Sequence, residues 1–600
     1  MPHLPTRQIA CTGYKHTACI DCRQHSGLIT PVNNLGRFQN LLCLGLCKIA
    51  LGALTLCFLF ACTPKSYDNS DAPVEATNET HHQLLVEHQT MSNPLVIKTF
   101  QGKLQGAWEP GDAKIRSFKG VPFARSPTGE RRWRPPESPQ SWSGLRNATR
   151  AGAACWQNIE SNAFVWSRQA FPRSEDCLYL NIWSATTSDH QPVMVWFHGG
   201  AHTGGRAHEA IFDGTELAKR GVVVVTVNYR LGPFGFLAHP ALAAESDHNS
   251  AGNYGLLDKI AALDWVRDNI SQFGGNPDNV TIFGQSAGSQ SVCSLMVSPL
   301  ARGLFHKAIG QSAACVNPQS PSDANGFERG LQLTNTLGTG SDLSAMRAAA
   351  PEAVLEAANL SGWATQSRIV VDGWVLPQTP DQLFAESRQA KVPLLLGSLA
   401  NEGHLLFPLN EDLTQDQLEA DVAKLAGSQL GTDLIDLYRS QLNVSPGLAQ
   451  REIRTDLFMA YGMRRWARYQ ARAAQPTYLY FMDHDTPAFR LYWPEQPDLK
   501  LTSGPRSVGA YHSGDLAYVF GNTRKVGMGW QDVDHALSST MVEYWTNFAK
   551  YGDPNSAGLP RWALYDEANH STMLLGSEPQ TVAGIRRAKL DLWDVRFTGQ

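Results

Sequence analysis

The chain has 600 residues, 42% of them hydrophobic, with 51 basic against 55 acidic side chains and a formal charge of -4. That length and apolar content can bury a large core, whereas the near-balanced charge, with no basic stripe interleaved with aromatics, excludes the electrostatic footprint of a nucleic-acid binder. The densest basic cluster, Arg131, Arg132 and Arg134 beside Trp133, reads as structural ion pairing rather than a binding patch.

In chain order, residues 1–40 are longer and more polar than the charged start of an export signal, which predicts a translation start downstream of Met1. Leu41 to Ala61 is interrupted by Lys48, leaving a 13-residue apolar segment that suits a signal h-region better than a membrane span of about 20 residues. Leu59-Phe60-Ala61-Cys62 resembles a bacterial lipobox, with Phe60 bulkier than the usual small residue. It predicts a presequence over 1–62, lipidation of Cys62 and an exported protein, anchored to the outer membrane or free in the periplasm or medium; an uncut anchor helix is the alternative. Residues 63–94 are polar and aperiodic, as expected of a tether.

Of the 11 cysteines, Cys11, Cys19, Cys22, Cys43, Cys47 and Cys57 precede residue 60, and only Cys155, Cys177, Cys293 and Cys315 follow Cys62. None of these four has C-x-x-C spacing. They fit two disulfides in an exported chain, or four buried thiols in a cytosolic one.

From Val96 onward, short apolar strands at Val193–Phe197, Val222–Val227, Val280–Phe283, Val392–Leu396 and Thr477–Met482 alternate with helical patterns such as Asn253–Phe273 and Thr540–Tyr551. The alternation predicts one α/β domain over 95–600, a mostly parallel central sheet with helices on both faces.

FGGNPDNVTIFGQSAG, Phe273 to Gly288, carries Ser286 inside Gly-x-Ser-x-Gly between a strand and the helical stretch AGSQSVCSLMV. This strand, turn and helix would hold a serine in a strained elbow as a nucleophile. A serine hydroxyl needs an imidazole to take its proton and a carboxylate to orient that imidazole. The chain order Ser, acid, His of α/β-hydrolases is met by Glu402 after the strand in VPLLLGSLANEG and by His512 in GAYHSGDLAYVFG. Backbone donors for an oxyanion are expected at Ala287 and, after strand Val193–Phe197, at Gly200 and Ala201 of HGGAHTGG. His198 and His202 flank that loop without metal-ligand spacing, and the chemistry requires no metal or cofactor.

The domain resembles type B carboxylesterases, the family of carboxylesterases, p-nitrobenzyl esterases and cholinesterases, from about Val96 to Phe597. FGGNPDNVTIFGQSAG and SEDCLYLNIW (Ser174 to Trp183) are similar to its two signatures, although Ala185 departs from the second, and NYRLGPFGFLA, GNYGLLD, GLFHKAI and WTNFAKYGDPN are similar to family segments. The resemblance implies an α/β-hydrolase fold and Ser286, Glu402 and His512 as the triad. It also implies a Cys155–Cys177 bridge near the active-site mouth, and structural ion pairs Arg132–Glu175 and Arg230–Asp258. A Cys293–Cys315 bridge is inferred for the remaining cysteines. Gln285 stands where cholinesterases carry a glutamate, which points away from cationic substrates and toward uncharged small-to-medium esters. Trp166 lies near the position of their ammonium-stacking tryptophan, but a lone tryptophan is more often packing. Alternatives are a lipase, a polyol or phenolic esterase, or a non-catalytic neuroligin-like binding protein, against which the intact triad argues.

Overall fold

Eleven strands form the central sheet: β1 (Ala107–Glu109), β2 (Asp112–Pro122), β3 (Tyr179–Ala185), β4 (Gln191–Phe197), β5 (Val223–Val227), β6 (Gly275–Gln285), β7 (Lys307–Gln311), β8 (Leu394–Leu399), β9 (Thr477–Met482), β10 (Thr572–Leu575) and β11 (Gln580–Val582). Their spatial order is β1-β2-β3-β5-β4-β6-β7-β8-β9-β10-β11. The seven strands from β5 to β10 in that order are mutually parallel. Antiparallel pairs lie only toward the two edges. The computed structural model describes residues 93–158, 171–186, 189–318, 326–363, 369–487, 507–526 and 529–598, all within the unit Gln89–Gln600.

Interior parallel strands are covered on both faces, so they read as continuous apolar runs, and alternate residues enter different cores. Val193, Val195 and Phe197 of β4 join Val223, Val225 and Val227 of β5 in a core with Leu256 and Leu263 of helix α1 (Tyr254–Asn269) and Val292 and Leu295 of helix α2 (Ala287–Val297). Met194 and Trp196 face the other way, into a core with Met541, Trp545 and Phe548 of helix α3 (Asp532–Tyr551). Burying one such side chain is worth about 1.5–3 kcal/mol. The expected two-faced, mostly parallel architecture is therefore the one observed.

Boundaries differ from the sequence expectation where polar residues belong to regular structure. α3 begins eight residues before Thr540 because Asp534 caps its first turn, accepting from Gln531 N–H at 2.7 Å, and it ends at Gly552 in the left-handed region. β6 extends back to Gly275 through the polar NPDN segment, with a register shift between Gly275 and Val280. β5 starts at Val223, and β8 runs Leu394–Leu399, starting two residues and ending three residues later than expected, past Gly397. The helix expected over Asn253–Phe273 is α1 followed by a 3-10 turn, Ile270–Phe273, which Gly274 closes at φ 84°. At the end of the expected tether, Asn93 accepts from Val96 N–H at 2.9 Å. The expected signal segment, Cys62, the rest of the expected tether and Trp166 lie outside the described residues.

Candidate active site

Ligands of parallel α/β sheets bind beyond the carboxyl ends of the strands, and all the candidate residues emerge there. Gly284 of β6 pairs with Phe197 of β4, so Ser286 and the His198–Gly199 turn leave neighbouring strands side by side. Ser286 has φ 56° and ψ -126°, a region that L side chains seldom occupy and that the surrounding packing enforces. Its N–H donates to Gln311 O at 2.8 Å, and its carbonyl accepts from Gln290 N–H at 2.9 Å in the first turn of α2. The helix fits so closely against β4 that a Cβ on Gly288 would lie 1.9 Å from Phe197 O. The elbow requires glycine there.

Glu402 follows β8 by three residues and is fully buried. Its Oε1 accepts from Leu399 N–H at 2.9 Å, and its Oε2 accepts from His512 Nδ1–H at 2.5 Å. Asn401 laces the two loops together: its N–H donates to Ala510 O at 2.9 Å, and its Oδ1 accepts from Ala510 N–H at 3.1 Å. Because Glu402 holds the proton on Nδ1, the other nitrogen of neutral His512 presents a lone pair. That Nε2 faces the Gln285 side-chain amide at 3.2 Å. Glu402, His512 and Gln285 are thus joined directly. Among the described residues, Ser286 Oγ stands next in sequence to Gln285 without a hydrogen bond to His512.

Gly200, Ala201 and His202 all have positive φ, and Gly200 O accepts from Thr203 N–H at 2.9 Å and Gly204 N–H at 3.0 Å. This tight turn leaves the Gly200 and Ala201 amides free of the sheet ladder, while Ala287 opens α2 immediately after Ser286. Both flanking histidines are buried and bonded within the protein. His202 Nε2 donates to Ser291 Oγ at 3.1 Å, and Ser291 in turn donates to Ala287 O at 2.8 Å. Burial holds the His202 imidazole well below its ordinary pKa.

Cys155 is bridged to Cys177 and Cys293 to Cys315. The first bridge anchors a segment whose Gln157 grips Gly205, donating to its carbonyl and accepting from its N–H, both at 2.8 Å. The Arg132–Glu175 and Arg230–Asp258 pairs are present as two-bonded guanidinium–carboxylate contacts.

One residue of the site escaped the sequence reading. Asp515, fully buried, accepts from Gln311 Nε2 at 2.8 Å and from Tyr480 OH at 2.9 Å. Burial, with the nearby Glu402 carboxylate, raises its pKa to about 6. Only its place three residues after His512 could have drawn attention to it.

A profile of the carboxylesterase family matches residues 93–593. The chain is 36% identical over 502 residues to the para-nitrobenzyl esterase of Bacillus subtilis, covering 80% of this chain and 95% of that protein. It is 34% identical over 547 residues to human cocaine esterase, covering 85% and 93%. Against the fumonisin B1 esterase of Sphingopyxis macrogoltabida the identity is 32% over 522 residues, covering 83% and 90%. The structure of a carboxylesterase from Geobacillus stearothermophilus superposes with a TM-score of 0.72 at 31% identity, covering 83% of this chain and 100% of that one.

Proposed function

The chain belongs to the carboxylesterase family of serine hydrolases and hydrolyses carboxylic esters, and from that premise we propose that Ser286, His512 and Glu402 carry the reaction. The observation that supports this most is the strained Ser286 elbow beside an imidazole whose Nδ1–H is fixed by a buried carboxylate. When an ester enters, Ser286 Oγ displaces the Gln285 amide from the Nε2 lone pair, as catalytic hydrogen bonds tighten only in the substrate complex. Oγ attacks the carbonyl carbon and its proton passes to Nε2. The N–H groups of Gly200, Ala201 and Ala287 hold the oxyanion, each worth about 3 kcal/mol in the transition state. The C–O bond to the alcohol then breaks as His512 returns the proton to the leaving oxygen. Water repeats the sequence on the acyl-enzyme and frees the acid.

The preferred substrates are uncharged esters of small to medium size. The neutral Gln285 beside the base supports this, because it supplies no charge to attract a cationic alcohol. A series of p-nitrophenyl esters of increasing acyl length tests the reading. A maximum of kcat/KM at short or medium chains is expected, and a long-chain maximum would make the enzyme a lipase.

Attachment at Cys62 to the outer membrane of a bacterium belongs to the same proposal, supported by the apolar segment and the Leu-Phe-Ala-Cys sequence. Stable anchoring takes more than one acyl chain. Cys62→Ser should move the enzyme from the membrane to the soluble fraction, and an unchanged distribution would refute the anchor.

A further inference from the structure

Beneath the turn that carries Gly200 and Ala201 lies a buried stack that takes no part in the bond changes or proton transfers. The His198 ring stacks on Tyr229 at 4.4 Å and 21°, and Tyr229 OH donates to His198 O at 2.7 Å. Below the tyrosine, Lys259 Nζ sits 3.1 Å from the ring centroid and donates to Gly255 O at 3.2 Å. All three residues are buried, with His198 1% exposed and Lys259 0%. A lysine buried with a carbonyl and an aromatic face, and no carboxylate bonded to it among the described residues, is unusual for a residue that normally stays in water.

The top of the stack reaches the reacting peptides. His198 Nδ1 lies 2.8 Å from Gly199 O; a carbonyl only accepts, so Nδ1 carries the hydrogen. Across a trans peptide the C=O and N–H point in opposite directions. Holding the Gly199 carbonyl therefore fixes the direction of Gly200 N–H. In the same way, the two amides that Gly200 O accepts fix Ala201 N–H. Gly205 closes over this bond, since a Cβ there would lie 2.5 Å from His198 Nδ1.

We propose that His198, supported by Tyr229 and Lys259, is a positioning residue that aims the Gly200 amide at the developing oxyanion. The inference rests on the assignment of Gly200 and Ser286 above. Burial holds the His198 imidazole to about 3, so it stays neutral, and in this one tautomer, at every pH where an esterase works.

The test compares His198→Phe, which keeps a ring and loses the donor, His198→Asn, which keeps a donor, and Tyr229→Phe, which loses one oxygen. The readouts are kcat/KM on p-nitrophenyl butyrate, Ki of a trifluoromethyl ketone that forms the tetrahedral adduct, and Ki of the corresponding secondary alcohol, which does not. For His198→Phe, kcat/KM should fall about 100-fold, the loss expected for a misdirected oxyanion donor. Ketone affinity should fall in parallel while alcohol affinity holds. Tyr229→Phe should show the same pattern at about fivefold, and His198→Asn should recover most of the loss. Should His198→Phe fail to fold, Tyr229→Phe, one oxygen short, decides. Unchanged ketone binding, or ketone and alcohol weakening together, would overturn the proposal. Ser286→Ala measured alongside separates the two claims: turnover there removes the nucleophile, whereas an inactive Ser286→Ala with unaffected ketone binding in the other variants removes only the role of His198.

Discussion

Gln285 holds its side-chain amide 3.2 Å from His512 Nε2, on the side of the imidazole opposite the 2.5 Å bond to Glu402. The ring is therefore gripped at both nitrogens, by a carboxylate at one and a neutral amide at the other. A second carboxylate in place of that amide would favour the imidazolium, and the base would be lost at higher pH. Gln285→Glu should move the acid limb of kcat/KM upward, with activity retained above it. A pH–rate profile of the two proteins checks this.

Asp515 supplies a pH dependence of stability. Its pKa is raised from 3.8 to about 6, first by burial and then by the charge of Glu402, so the folded protein binds this proton more tightly than the unfolded chain does. Its stabilising contribution is complete below pH 3.8 and disappears as the pH rises through about 6, a loss on the order of 3 kcal/mol. Asp515→Asn keeps an acceptor for Gln311 and Tyr480 and cannot ionise. Its Tm relative to the parent should therefore be several degrees higher at pH 8 than at pH 4, as read by thermal melts.

The bridge Cys155–Cys177, with a separation of 22 residues, restrains the segment whose Gln157 clamps Gly205. Loop-closure entropy for that length corresponds to about 3 kcal/mol. Cys155→Ser/Cys177→Ser should lose about that much stability in urea titrations. Because the clamp reaches the turn carrying Gly200, kcat/KM should also fall several-fold.

The parts of this molecule that the sequence makes legible are those governed by local rules. Helix α2 coincides with AGSQSVCSLMV and β9 with Thr477–Met482, because apolar periodicity dominates in both. Ser286, Glu402 and His512 could be picked out because each sits in a glycine-flanked turn after a strand or in a fixed chain order. Their geometry was another matter: 110 residues separate Glu402 from His512. Asp515, Tyr229 and Lys259 carry no such local signal. Their meaning arises from burial, and a pattern of residue types places aspartate and lysine at the surface by default. The early start of α3 was hidden for a similar reason, since Asp534 acts there as a cap rather than as a loop residue.

Covalent labelling distinguishes Ser286 Oγ, as the nucleophile that becomes acylated, from every other side chain of the protein. A fluorophosphonate probe reacted with the intact protein and located by peptide mass spectrometry should mark Ser286 alone, with no label and no ester turnover in Ser286→Ala. A label on any other residue, or hydrolysis surviving in Ser286→Ala, would exclude Ser286 as the nucleophile.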